Sequence, residues 1–272
     1  MSWEVRTMQF GTSYFNKTLF AKHFARFWPI WGLYGLIWTM CLPLGILLDS
    51  RSGWTQVRAR VLPLNYLDTS GWFSAATFLA VVFGLLAAMA VFSYLYSARS
   101  VGLFHALPLR REGLFLTSYL AGLGFLILPN LAVFLLALAA EAACGAVVFS
   151  SLFTWLVVSS LLGLFFYSFA VFCAMFTGHI LALPAFYVVL NGLAAGLAVL
   201  FGQMAHEFLF GFDGAAWLTA VASWLSPVLR LSACHVVIPT VTDAAGNSVT
   251  DEGAAYFSGL GYVALYLSLI HI

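Results

Sequence analysis

The sequence predicts an all-α integral membrane protein, a single transmembrane domain over residues 1–272. Three observations predict it. The chain is 63% apolar and only 8% charged, whereas about a quarter of the residues in a soluble domain are charged; too few polar side chains exist to cover a water-facing surface. Aromatics make up 17%, Phe above all, which suits a lipid-facing exterior with Trp and Tyr available for the two interfaces. Apolar runs of about 20 residues, the length a helix needs to cross the hydrocarbon core, recur along the chain.

The first run, 27–48, follows a stretch carrying Glu4, Arg6, Lys17, Lys22 and Arg26. It is too long for the core of a cleavable signal, so a retained anchor is expected. Further runs cover 72–97, 114–140, 152–176 and 179–202. A sixth, 254–272, is short for a complete crossing and has no basic residues beyond it. Its closing S-L-I-H-I resembles a translated sequencing adapter, so a truncated gene and an incomplete last helix are expected. With the N-terminus inside, Arg6, Lys17, Lys22, Arg26, Arg99, Arg110 and Arg111 are cytoplasmic and Arg51, Arg58, Arg60 and Arg230 external. The excess of basic residues inside favours that orientation.

Between these runs lie three amphipathic stretches. Phe20, Phe24 and Phe27 stand at helical spacing with Lys22 and Arg26 opposite, which predicts an interfacial helix lying on the inner leaflet in contact with lipid. The loop 98–113, A-R-S-V-G-L-F-H-A-L-P-L-R-R-E-G, places Val101, Phe104 and His105 on one face of a short helix. Pro108 stops that helix because it offers no N–H to a continuing turn. On the outer side, within 203–253, Trp217, Val221, Trp224, Leu225 and Val228 share a face while Thr219, Ser223, Ser226 and Arg230 take the other. Pro227 breaks this helix, so a re-entrant pair of short helices is expected. The polar loop 239–253 follows.

The motifs that would carry chemistry are missing from the sequence. There is no G-x-x-x-x-G-K-[ST] phosphate loop and no G-x-S-x-G elbow. His206 and Glu207 begin like H-E-x-x-H, but Phe210 stands where the second metal ligand belongs. Cys41, Cys144, Cys173 and Cys234 have no ligand spacing and read as small buried hydrophobes. No enzyme, metal or nucleic-acid partner is expected. The polar residues inside the spans are chiefly Asn130, Glu141 and Asn191. Asn130 is expected to satisfy carbonyls freed by Pro129, Asn191 to bond between helices, and Glu141 to lie near water at the outer end of its span.

Three segments resemble the permease subunits of bacterial type-2 ABC transporters: 15–38 with its W-P-I-W, 94–120 with S-A-R-S-V-G-L-F-H-A-L-P-L-R-R-E-G-L-F-L-T-S-Y-L, and 165–187 with F-F-Y-S-F-A-V-F-C-A-M-F-T-G-H-I-L-A-L-P-A-F-Y. The resemblance implies a six-helix bundle with an N-terminal interfacial helix, a cytoplasmic coupling helix between spans two and three, and external re-entrant helices between spans five and six. It also implies a location in the bacterial plasma membrane, a second permease subunit, identical or not, and a separate ATP-binding subunit carrying ATP and magnesium. Residues 100–112 would then dock into that subunit, with Phe104 and Leu107 as apolar knobs and Arg110, Arg111 and Glu112 as charged contacts. A pathway lined by Phe, Leu, Val and Ala suits an amphipathic cargo. The alternative is a membrane scaffold or sensor that uses the same loop to bind a regulatory partner without transport.

Overall fold

In the computed structural model, the structure describes residues 15–68, 74–96, 111–208, 216–232, 234, 236–242, 248–251 and 254–270. Helix α1 (Lys17–Arg26) opens on Asn16, whose Oδ1 accepts the Thr18 and Leu19 N–H groups, both at 3.1 Å. Such a cap satisfies donors that the first turn leaves without a partner. Phe27 leaves helical geometry and separates α1 from α2 (Trp28–Cys41). Pro29 sits in the first turn of α2, where its missing N–H costs nothing. At Leu42 the chain passes into α3 (Pro43–Asp49), again with proline at the start.

Next come α4 (Gln56–Asn65), capped by Thr55, and α5 (Ala75–Phe92), capped by Ser74 and followed by a 3-10 turn over Ser93–Tyr96. The long helices are α6 (Arg111–Cys144), α7 (Phe149–Phe176) and α8 (Ala182–Phe208). Shorter ones follow: α9 (Ala216–Leu225), α10 (Pro227–Ser232) and α11 (Leu260–Ile270). Two small antiparallel pairs lie between α10 and α11. Strand β1 (Val236–Val237) pairs with β4 (Tyr256–Phe257), and β2 (Thr240–Thr242) pairs with β3 (Ser248–Thr250).

Five stretches among the described residues are long and apolar enough to cross a membrane: Trp28–Asp49, Ala75–Tyr96, Arg111–Cys144, Phe149–Phe176 and Ala182–Phe208. They coincide with the five complete runs read from hydropathy, with shifted ends. The expected loop 98–113 gives its last three residues to α6, where Glu112 in the first turn complements the positive end of the helix dipole. The fifth span continues to Phe208, past the expected 202, because Gln203, His206 and Glu207 are compatible with helix and no proline intervenes.

Helix α7 is the hub, packing against α4, α5, α6, α8 and α11. Its closest approach is to α5: a Cβ added at Gly84 would stand 2.9 Å from the Tyr167 backbone nitrogen. Small residues permit this approach, and in a bilayer such packing replaces the hydrophobic drive that lipid removes. Gly122 on α6 makes room for the Tyr167 phenol in the same way. Tyr167 then donates from its hydroxyl to the Tyr119 carbonyl at 3.0 Å. Trp38 on α2 meets Trp155 on α7 edge to face at 4.8 Å, both fully buried.

Helix α8 is different. Only 11% of its most apolar window is buried, against 56% for α5 and for α7. Its outward residues, Val188, Val189, Leu193, Leu197 and Leu200 among them, form a continuous apolar surface suited to lipid or to another span. Cys173 and Cys234 are buried as expected; Cys41 and Cys144 are half-buried, and no disulfide joins any two of the four.

Candidate functional site

Three regions bear on function. The first is the end of the bundle formed by α1 and the start of α6. Of the residues expected to dock a partner, Val101, Phe104, His105, Leu107, Pro108 and Arg110 lie outside the described residues. Arg111 and Glu112 open α6 and are exposed. Two turns later, Thr117 accepts the Asn16 N–H at 3.1 Å while its hydroxyl donates to the Gly113 carbonyl at 2.7 Å. The cap of α1 is therefore tied to the helix that the 98–113 segment feeds.

The phenylalanines expected to face lipid meet α6. Phe24 packs edge-on against Phe125 at 5.0 Å, and both Phe20 and Phe24 lie over Gly124. Phe27 also reaches Phe125, while Lys22 and Arg26 on the opposite side are exposed. Contacts progressing from Asn16 with Thr117 to Phe24 with Phe125 make α1 run along α6. His23, a residue that helical spacing alone did not single out, is buried, stacks on Phe27, and has no bonded partner at Nε2. Burial, and secondarily the nearby Arg26 charge, lowers its pKa below the usual 6.5.

The second region is the interior. Asn130 was expected to serve backbone carbonyls freed by Pro129. Its side chain instead accepts the Tyr34 hydroxyl at 2.9 Å and donates to Ser160 Oγ at 3.4 Å, joining α2, α6 and α7. Those side chains are close because Gly35 lets α2 lie against Pro129. Glu141 was expected near water, but it is fully buried. Its Oε2 accepts the Val148 N–H at 3.0 Å, which places a carboxylate against the N-terminus of α7. Helix α4, which covers that end of α7, removes the solvent; Ser151 on α7 donates to the Arg60 carbonyl on α4.

The third region is the expected external amphipathic segment. Helices α9 and α10 flank Ser226, and Pro227 makes the break. Trp217, Val221, Trp224 and Leu225 are all exposed, and of these the Trp224 ring also meets α11, edge-on to Tyr262 at 5.6 Å. The backbone carbonyl of Trp224 accepts the Tyr266 hydroxyl at 2.8 Å, and the Arg230 guanidinium lies over both rings, 4.3 and 4.1 Å from the Trp224 and Tyr262 centroids. This pins the break to α11.

Inside the break, α5, α8 and α10 enclose a cleft of about 340 Å³ whose walls include Phe78, Val81, Val82, Val188, Asn191 and Ser226. The side chain of Asn191 does not bond across helices as expected. Its Nδ2 donates to Tyr187 O at 2.9 Å on its own helix. The link between elements is made instead by Ser226 Oγ, donating to the Asn191 backbone carbonyl at 2.8 Å.

Among the described residues no group of three or more His, Cys, Asp and Glu could hold a metal ion. Comparison with protein-family models, with curated proteins and with solved structures finds no match to this chain.

Proposed function

We propose that this chain is the membrane-spanning permease subunit of a bacterial ATP-binding cassette transporter, moving an amphipathic substrate across the plasma membrane with ATP hydrolysed by a separate subunit. Its N-terminus is cytoplasmic, and a second permease, identical or not, completes the pathway. The observation that carries the reading is the basic-ended segment 98–113 between the second and third spans. This segment resembles a coupling helix in sequence and leads straight into α6, to which α1 is tied by Asn16 and Thr117. Motion delivered there by a closing ATPase pair reaches α6 directly, and α1 moves with it.

Such a segment equally suits a scaffold or sensor. Purification of the tagged full chain in mild detergent separates the two. Recovery of a soluble nucleotide-binding subunit with a phosphate loop is expected, and recovery of a kinase or response regulator in its place turns the reading to the sensor. In a reconstituted complex, Arg110→Glu with Arg111→Glu is expected to uncouple transport from ATP hydrolysis. Unchanged coupling would sink the assignment of the docking segment.

A further inference from the structure

On the wall of the cleft between α5, α8 and α10, one side-chain polar atom has no hydrogen-bond partner. Asn191 is 7% exposed, and its Oδ1 is enclosed without a partner. An amide flip would not cure this, because it would turn Oδ1 toward the Tyr187 carbonyl that Nδ2 now serves at 2.9 Å. The other polar groups are committed: Ser226 Oγ donates to the Asn191 backbone carbonyl at 2.8 Å, and the Tyr187 hydroxyl donates to Val81 O at 3.4 Å. Asn191 Oδ1 is therefore the acceptor on this wall that has no partner at all, and its surroundings are apolar. Leaving such a group unbonded in hydrocarbon is costly, so it favours a ligand that brings a donor.

We propose that this cleft binds a neutral amphiphile with an apolar body in contact with Phe78, Val81, Val82 and Val188 and a hydroxyl or amide N–H donating to Asn191 Oδ1. The volume of about 340 Å³ lies within the range of small-molecule sites, roughly 300–1,000 Å³. A carboxylate or phosphate is disfavoured, because an anion presents acceptors to an acceptor and finds no cation on these walls. The ligand's entry requires a small shift of side chains over Oδ1.

The inference names the substrate class of the transport reading, and rests on that reading only for the step from binding to movement. Its test is binding by the purified full chain in nanodiscs without any ATPase. Three diazirine probes of equal chain length are compared: a fatty alcohol, the ionised fatty acid and the alkane. Expected is photolabelling of α5 and α8 peptides by the alcohol about three- to tenfold above the alkane, the ratio one hydrogen bond to a buried acceptor supplies, with the acid no better than the alkane. Asn191→Leu should reduce alcohol labelling to the alkane level, and Val82→Trp, which fills the cleft and spares Asn191, should abolish labelling by both. Equal labelling by alcohol and alkane in the unaltered protein overturns the proposal without recourse to any variant. Selective binding with no ATP-driven transport in the complete complex would leave the site standing and remove the transport reading.

Discussion

Gly84 and Tyr34 represent two kinds of residue-level constraint, and their magnitudes differ. A methyl at Gly84 meets the backbone of α7 at 2.9 Å, where no flexible side-chain end can yield. Gly84→Ala should therefore cost about 1–3 kcal/mol, the range of overpacking in a filled core, read as loss of unfolding free energy in detergent. Tyr34→Phe removes one interhelical hydrogen bond to Asn130 and should cost less, about 0.6–1.7 kcal/mol in a membrane protein. His23 adds a dependence on pH. Its pKa is lowered where α1 packs on α6, and returns to about 6.5 when α1 detaches into water. The detached state binds more protons below that value, so the docking of α1 is complete above pH 6.5 and weakens as pH falls through it. The protection factors of the residue 17–26 amides against hydrogen exchange, which correct for the intrinsic pH dependence of exchange, should fall on acidification, and His23→Phe should flatten the dependence.

At the scale of elements, α1 owes its position to Asn16, Phe20 and Phe24 together. Thr117→Val removes the acceptor for the Asn16 N–H and should loosen α1 at a cost of about 1 kcal/mol. The measurement is proteolysis before residue 27 in a reconstituted bilayer; an unchanged rate would show that the phenylalanines alone hold the helix. Which elements were readable follows from what each signal integrates. Hydropathy sums over a whole span, so five crossings emerge from sequence. Phe20, Phe24 and Phe27 at helical spacing announce α1 and its apolar edge, but not whether α6 or lipid receives it. Helix α4 lacks a strong apolar stripe, and its best sign was Thr55 ahead of Q-V-R. The pairing of β2 with β3 had a legible trace in the sequence, where T-V-T and S-V-T stand on either side of D-A-A-G-N. Glu141 and Asn191 were legible as polar intrusions only. Their partners depend on how α4 covers α7 and on how far α8 stands from α5, distances set by packing of residues remote in sequence.

For the whole molecule, length against bilayer thickness sets the layout. A helix of 34 residues such as α6 extends about 51 Å, while the hydrocarbon spans about 30 Å. Part of α6 therefore lies outside the apolar core, and α1 runs beside its N-terminal half. The distribution of Lys and Arg predicts that this side is the inner one, an expectation that cysteine labelling tests. In a background with Cys41, Cys144, Cys173 and Cys234 replaced by serine, Lys22→Cys should resist a membrane-impermeant maleimide added to intact cells and Arg58→Cys should react. The reverse pattern would invert the orientation and move the 98–113 segment away from any cytoplasmic ATPase.

The hub position of α7 also sets an order of events during synthesis. Helix α5 is complete at Phe92, yet the surface that receives its Gly84 is made only when Tyr167 has been added. At about 5–20 residues per second a ribosome needs several seconds for that interval. During it, α5 sits in the bilayer with its closest contact unmade, while α2 and α6 already hold the residues that join Tyr34 to Asn130. The second span thus waits for the fourth, and α7 is the helix that joins the three spans translated before it.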